Sequence, residues 1–256
     1  ETEEIVVKRF LEKNRSGAVA LGRTYSRYRL KFSDTIYSDS EEVFEDKAQF
    51  ISLYPFAPYQ FKLLPEVLDN IRKRGGAGAD ISTAERSILS VFHSALTYMK
   101  AIEKNGRAIA PLYAFYGGLR EFFSPDETEV VEDADKYLKN ERIGGAQKRL
   151  AANILKTLLI LKYSNSIRAT EGNLLKLLIS DLKQDTDKAT TELRTALAAL
   201  LKTNTIKKRG DAFAFLSTGE IETENMISEI DVENREIVRS IADILFGKIF
   251  TLKKIA

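Results

Sequence analysis

The sequence predicts a mainly α-helical chain in which a helical N-terminal half is followed by a winged helix-turn-helix with a small β-hairpin wing. Three observations predict it. Apolar residues recur at three- and four-residue spacing over most of the 256 positions. Three such runs, Lys148 to Tyr163, Thr170 to Ser180 and Lys188 to Lys202, follow one another closely. The composition then turns strand-like. Ile206-Lys207-Lys208-Arg209 and Ala212-Phe213-Ala214-Phe215 flank a Gly210-Asp211 turn. Three helices and a hairpin within about 70 residues is the layout of a winged helix-turn-helix.

The elements before it follow from local pattern. Glu3 to Lys13 reads as an amphipathic helix with Ile5, Val6 and Phe10 on its apolar side. Thr24 to Phe32 alternates, Arg27, Arg29 and Lys31 on one parity and Tyr28, Leu30 and Phe32 on the other, which predicts a half-buried strand. Asp39 to Asp46 is acidic and expected at the surface, and Glu45 to Leu53 is helical. It leads into Tyr54-Pro55-Phe56-Ala57-Pro58-Tyr59-Gln60-Phe61. Such aromatic-proline density is unusual in a helical protein, because proline breaks helices and large rings need a buried seat.

Phe61 to Lys73 is helical, with a kink or restart expected at Pro65. Gly75-Gly76-Ala77-Gly78-Ala79-Asp80 ends that helix, and Ser82 or Thr83, with Glu85, predicts a cap for the next, which runs to about Asn105. Ala108 to Phe123 reads as an apolar helix interrupted at Gly117-Gly118, and Glu127 to Asp135 as an acidic linker. Gly144-Gly145 marks a boundary. A last helix is expected over Val232 to Phe250. The division is therefore 1–50, a helical domain 51–144, the winged helix 145–217 and a trailing helical segment 218–256.

Composition excludes several chemistries. Basic residues number 39 and acidic residues 37, so the net charge of +2 makes no whole-chain case for nucleic acid or anionic lipid. Cysteine is absent, which removes thiolate and disulfide chemistry and suits a reducing compartment; a cytoplasmic location is expected. His93 is the only histidine, so a multi-histidine metal site is excluded and a structural role is preferred to catalysis. No run reaches the roughly 18 apolar residues of a membrane span. No G-x-x-x-x-G-K-[ST] loop occurs, so a P-loop's phosphate cradle is not among these residues. The acidic opening Glu1-Thr2-Glu3-Glu4, without an initiator methionine, reads as part of a longer polypeptide.

The candidate chemistry is recognition. Lys207, Lys208 and Arg209 would give the wing three consecutive cations for phosphate. The would-be recognition helix offers Arg194, Lys188 and Lys202 beside Asp187 and Glu192, too few base-reading side chains for sequence readout, so backbone contact with double-stranded DNA is the expectation. Arg23, Arg27, Arg29 and Lys31 with Tyr25 and Tyr28 could grip a single strand. A solvated strand face is the preferred reading.

Tyr54 to Phe61 with Leu63-Leu64, and Ala84-Glu85-Arg86-Ser87-Ile88-Leu89-Ser90-Val91-Phe92, resemble segments of the P-loop ATPase of BREX phage-defence systems (the BrxC type). Val7-Lys8-Arg9-Phe10-Leu11-Glu12-Lys13 and Phe213 to Glu222 resemble further segments of it. The family usually has glycine where Ala84 stands. The resemblance implies an AAA-like ATPase of antiviral defence, of which this chain is the part leaving the ATPase core (1–50), the lid (51–144) and the winged helix. It implies that Arg86 senses the nucleotide, as lid arginines do in related ATPases. ATP and Mg are then bound by the parent protein, with no cofactor held by this fragment alone and no hydrolysis by it. Other BREX proteins and self-association through the ATPase are the implied partners. Two further readings stay open on the residues: a winged-helix DNA-binding regulator, and a protein-interaction scaffold.

Overall fold

The structure, a computed structural model, describes residues 2–75, 81–102, 106–229 and 244. It is mainly helical with one small antiparallel sheet. One compact unit comprises Glu1–Thr218 and a second Gly219–Ala256. The boundaries drawn at 50/51 and 144/145 both fall inside the first unit. Among the described residues no helix is long and apolar enough to cross a membrane.

Helix α1 (Thr2–Phe10) is followed by α2 (Arg15–Tyr28). The Asn14 side chain caps α2, accepting the Gly17 N–H at 2.8 Å. The strand expected over Thr24 to Phe32 is corrected here: α2 runs through Tyr28, a 3-10 turn covers Arg29–Lys31, and α3 (Phe32–Thr35) follows. The physical reason is a competing period. Leu21, Thr24, Tyr28 and Phe32 recur at three and four residues and are all buried, whereas the alternating partner Leu30 is 83% exposed. Tyr25 packs on Phe32 and Phe50, with ring centroids 5.7 Å apart in each case.

Helix α4 (Lys47–Leu53) is capped by Asp46, whose carboxylate accepts the Gln49 N–H at 2.7 Å. Pro58 opens α5 (Pro58–Gly75), where a missing N–H costs nothing. The helix continues through Pro65 as one element rather than restarting. Helix α6 (Ile81–Ile102) is already under way at Ile81, so Ser82 and Thr83 lie within it rather than ahead of it.

The aromatic-proline run sits at the centre of the core. Phe56, Phe61, Phe92 and Phe115 form one cluster, with centroids 4.8 Å apart for Phe61–Phe92 and 5.1 Å for Phe56–Phe92. Gln60 is wholly buried beside them. Its Oε1 accepts the Ala57 N–H at 3.1 Å, and its Nε2 donates to the Ala110 carbonyl at 2.6 Å and to the Tyr59 hydroxyl at 3.1 Å.

The apolar helix expected over Ala108 to Phe123 is corrected here: the segment is an irregular stretch followed by short helical turns. Gly106, at φ +70°, makes a turn, and residues 107–111 are not helical because both edges of the backbone are used. Ala110 N–H donates to Pro55 O at 2.9 Å, Ile109 N–H to Ser180 O at 3.1 Å, and Arg107 O accepts from Leu182 N–H at 3.1 Å. A 3-10 turn (Leu112–Phe115), α7 (Tyr116–Leu119) and a second 3-10 turn (Arg120–Phe122) come next. A Cβ on Gly118 would stand 2.6 Å from Val91 Cα, so only glycine lets α7 approach α6 this closely.

The acidic linker expected at Glu127 to Asp135 is also corrected: it forms α8 (Pro125–Glu132) and α9 (Ala134–Tyr137). Ser124 and Glu127 make a capping box with proline at the first position. Glu127 is buried, and its carboxylate accepts the Tyr163 hydroxyl at 2.8 Å and pairs with Lys162 at 3.2 Å. Burial first, then the bond to Glu127, push the Tyr163 phenol well above its ordinary range.

Helix α10 (Gly145–Leu161) is the central helix, with an unbroken buried run from Thr157 to Leu161. Its end meets α5, where the Asn70 amide donates to Tyr163 O at 2.8 Å and Glu66 accepts the Asn165 N–H at 2.7 Å. Thr170 caps α11 (Glu171–Leu178) and Asp185 caps α12 (Thr186–Lys202). Strands β1 (Ile206–Arg209) and β2 (Ala212–Phe215) pair from Ile206↔Phe215 to Arg209↔Ala212. Gly210, at φ +64°, makes the turn. On its other side β2 bridges Thr170, and Phe213 N–H donates to Ala169 O at 2.9 Å. Helix α13 (Thr218–Glu229) is the last described element. The helix expected over Val232 to Phe250 lies, but for residue 244, outside the described residues.

Gln60→Leu strands a buried N–H and a buried carbonyl while keeping the volume apolar. It is expected to lower unfolding free energy by about 2–4 kcal/mol in urea titrations. A loss under about 0.5 kcal/mol would show that the amide is not a structural tie.

Candidate nucleic-acid interface

The hairpin is built to present β1 outward. β2 is held between β1 and residues 169–170, which leaves β1 as the outer strand. Ile206 is buried at its start, and Lys207, Lys208 and Arg209 are exposed. Lys208 Nζ lies 5.7 Å from the centre of the Phe213 ring across the ladder. At the turn, Arg168 pairs with Asp211. Three cations on an outer strand also keep another chain's strand from pairing there.

Helix α12 behaves differently. Its apolar face, with Leu193, Ala196, Leu197 and Leu200 buried, packs on α10 and β1. Its basic residues each face a carboxylate. Arg194 Nε donates to Glu171 Oε1 at 2.8 Å, Lys188 lies 3.9 Å from Glu192, and Lys202 lies 3.5 Å from Glu141. Exposed pairs of this kind are weak, about 0–1 kcal/mol each, but they cancel the local positive field. Glu171 and Glu141 give no local signal in the sequence, since they lie 23 and 61 positions from the cations they meet.

The structure therefore gathers Lys207, Lys208 and Arg209 on one strand and holds Arg194 against α11. Arg86 is exposed near the start of α6, a helix that packs on α1, α5 and α7 rather than on the hairpin. Beside it, Ser87 receives the Arg72 guanidinium at 3.0 Å. His93 is exposed on the same helix with its ring 5.6 Å from Phe10, a packing position. Among the described residues no cluster of three or more His, Asp or Glu side chains is placed to hold a metal ion.

The fold so described is a mainly helical protein with a basic two-stranded hairpin. No family model and no solved structure matches the chain.

Because Glu171 holds the Arg194 guanidinium, Arg194→Ala is expected to change duplex DNA affinity by less than about twofold, as a positioning rather than reading residue would. A loss of about tenfold in fluorescence anisotropy would instead put α12 against the bases.

Proposed function

We propose that this chain is the non-catalytic lid and winged-helix region of a BREX-type anti-phage ATPase, coupling ATP binding elsewhere in the protein to assembly or DNA engagement. The observation that carries the recognition part is the outer strand with three consecutive exposed cations, set after helices α10, α11 and α12. The order supports a winged helix: a helix, a short extended pair at 169–170 bridged to β2, two further helices, then the hairpin. The connection from α11 to α12, residues 179–185, is longer than the roughly 3–4-residue turn of a simple helix-turn-helix. Phosphate contact through the wing fits better than base reading, because the cations of α12 are already paired.

The ATPase part rests on the sequence resemblance. The aromatic-proline motif that carries it is also the centre of the core, which supports treating it as a constrained feature rather than a chance run. ATP and Mg would be held by residues outside this chain, and Arg86, exposed on α6, is the nucleotide-sensing candidate. Other BREX proteins and further copies of the ATPase are the proposed partners, in the cytoplasm. A second reading, a protein-interaction scaffold, is favoured by the neutralised surface of α12.

Replacing Lys207, Lys208 and Arg209 together by Ala is expected to weaken duplex DNA binding at low salt. The slope of log K against log salt should become shallower by roughly 2–3. Unchanged binding and slope would remove the wing from the interface. In the intact ATPase, Arg86→Ala is expected to lower ATP turnover roughly tenfold or more with the circular dichroism spectrum unchanged. Wild-type turnover would refute the sensing role.

A further inference from the structure

Away from the hairpin, positive charge is concentrated on α2. Between positions 13 and 32 the sequence holds Lys13, Arg15, Arg23, Arg27, Arg29 and Lys31 and no carboxylate. Lys13 is used internally: its ammonium donates to Ser52 O at 2.7 Å, and burial pushes its pKa down to about 8. Arg15, Arg23 and Arg27 recur on one helix face. With Lys47 of α4 they rim an open groove of about 800 Å³ whose floor includes Val19 and Ile51. At Gly22 the Lys47 side chain lies directly against the α2 backbone, since a Cβ there would stand 2.7 Å from Lys47 Cε. Val19 is 53% exposed, an apolar side chain left in water. Among the described residues, no carboxylate makes an ion pair with any of the four rim cations.

A cationic rim over an apolar floor suits an amphipathic helix with acidic flanks. It suits single-stranded nucleic acid poorly, because Tyr25 and Tyr28, the rings that would stack on bases, are turned into the core. The chain itself carries a segment of the required chemistry. From Thr218 to Asn234 there are six acidic residues, Glu220, Glu222, Glu224, Glu229, Asp231 and Glu233, and no lysine or arginine. Within α13, Glu222, Met226 and Glu229 follow the i, i+4, i+7 spacing of one face, and Met226 is 65% exposed. The 12 residues of α13 are about 18 Å long, the same as the rise from Arg15 to Arg27 along α2.

We propose that the groove between α2 and α4 receives the acidic segment 218–234 of a second copy of this chain, so that copies associate head to tail. The two surfaces differ, which makes the contact heterologous; repeated, it builds a ring if it closes and a filament if it does not. This inference does not rest on the ATPase reading.

The test is sedimentation velocity of the full chain over a range of concentrations, at low salt and at about 1 M salt, where charges more than ~3 Å apart are screened. Wild type should associate at low salt and be monomeric at high salt. Arg23→Glu with Arg27→Glu, and separately Glu222→Arg with Glu229→Arg, should each weaken association roughly tenfold or more, since like charges then face each other. The four changes combined should restore it, and circular dichroism shows that each variant is folded. A wild type that stays monomeric at low salt, association unaffected by the groove changes, or failure of the combined variant to recover would each overturn the proposal. Labelled duplex and single-stranded DNA serve as the alternative occupant. Loss of DNA binding in the Arg23/Arg27 variant, with a monomeric wild type, assigns the groove to nucleic acid instead.

Discussion

The fold depends most on one buried amide. Gln60 lies where an aromatic cluster excludes water, and it joins the loop at Ala57 to the extended segment at Ala110. That segment has no helix or sheet of its own to satisfy its backbone. It takes partners from Pro55 on one side and from Ser180 and Leu182 on the other. A buried backbone group without a partner costs roughly 1–3 kcal/mol, so the arrangement is nearly all or none. The N-terminal helices, residues 106–111 and the loop before α12 are held in one unit by the same few bonds. These bonds lie within the compact unit Glu1–Thr218.

A second tie works by charge rather than by an amide. Glu127 completes the cap of α8 and then spends its remaining oxygen capacity on Tyr163 and Lys162 at the end of α10. A buried carboxylate is tolerable only with such a full set of partners. The Tyr163 ring in turn lies under the Arg74 guanidinium, 4.8 Å from its centre, so the last turn of α5 is joined to the same point. The raised phenol pKa has a definite sign in stability. Its contribution is complete below the ordinary tyrosine range and is lost as pH rises through the folded-state value.

What the sequence made legible follows from how local each signal is. The three helices and the hairpin from α10 to β2 were readable because caps, apolar periodicity and the Gly210 turn all lie within a few residues of what they control. Thr170 as the cap of α11 is the clearest case. The strand expected at Thr24 to Phe32 failed because arginine, tyrosine and leucine in that order satisfy a two-residue period and a four-residue period at once. Only burial of Leu21 and Thr24 decides between them. The acidic stretch from Glu127 failed for the opposite reason. Its charge suggested water, but one carboxylate of the run found a buried hydroxyl 36 positions away. The chemistry of the candidate interface was half legible. The wing cations are local, whereas the carboxylates that neutralise α12 come from distant positions.

Net charge is a poor guide to this molecule because the charges are sorted along the chain. A total of +2 averages a stretch of six cations without a carboxylate and a stretch of six carboxylates without a cation. Fields at a surface depend on charges within about 10 Å, the screening length near physiological salt, so each stretch acts as a patch of its own sign. On α12 the folded chain brings carboxylates from α11 and from the loop after α9 to its cations and flattens the field. Along α2 it leaves Arg15, Arg23 and Arg27 without an ion pair among the described residues. Leaving these three unpaired costs the fold little, because exposed ion pairs are worth about 0–1 kcal/mol each. The surfaces that the fold does not neutralise are therefore the ones with most free energy left to gain from a partner.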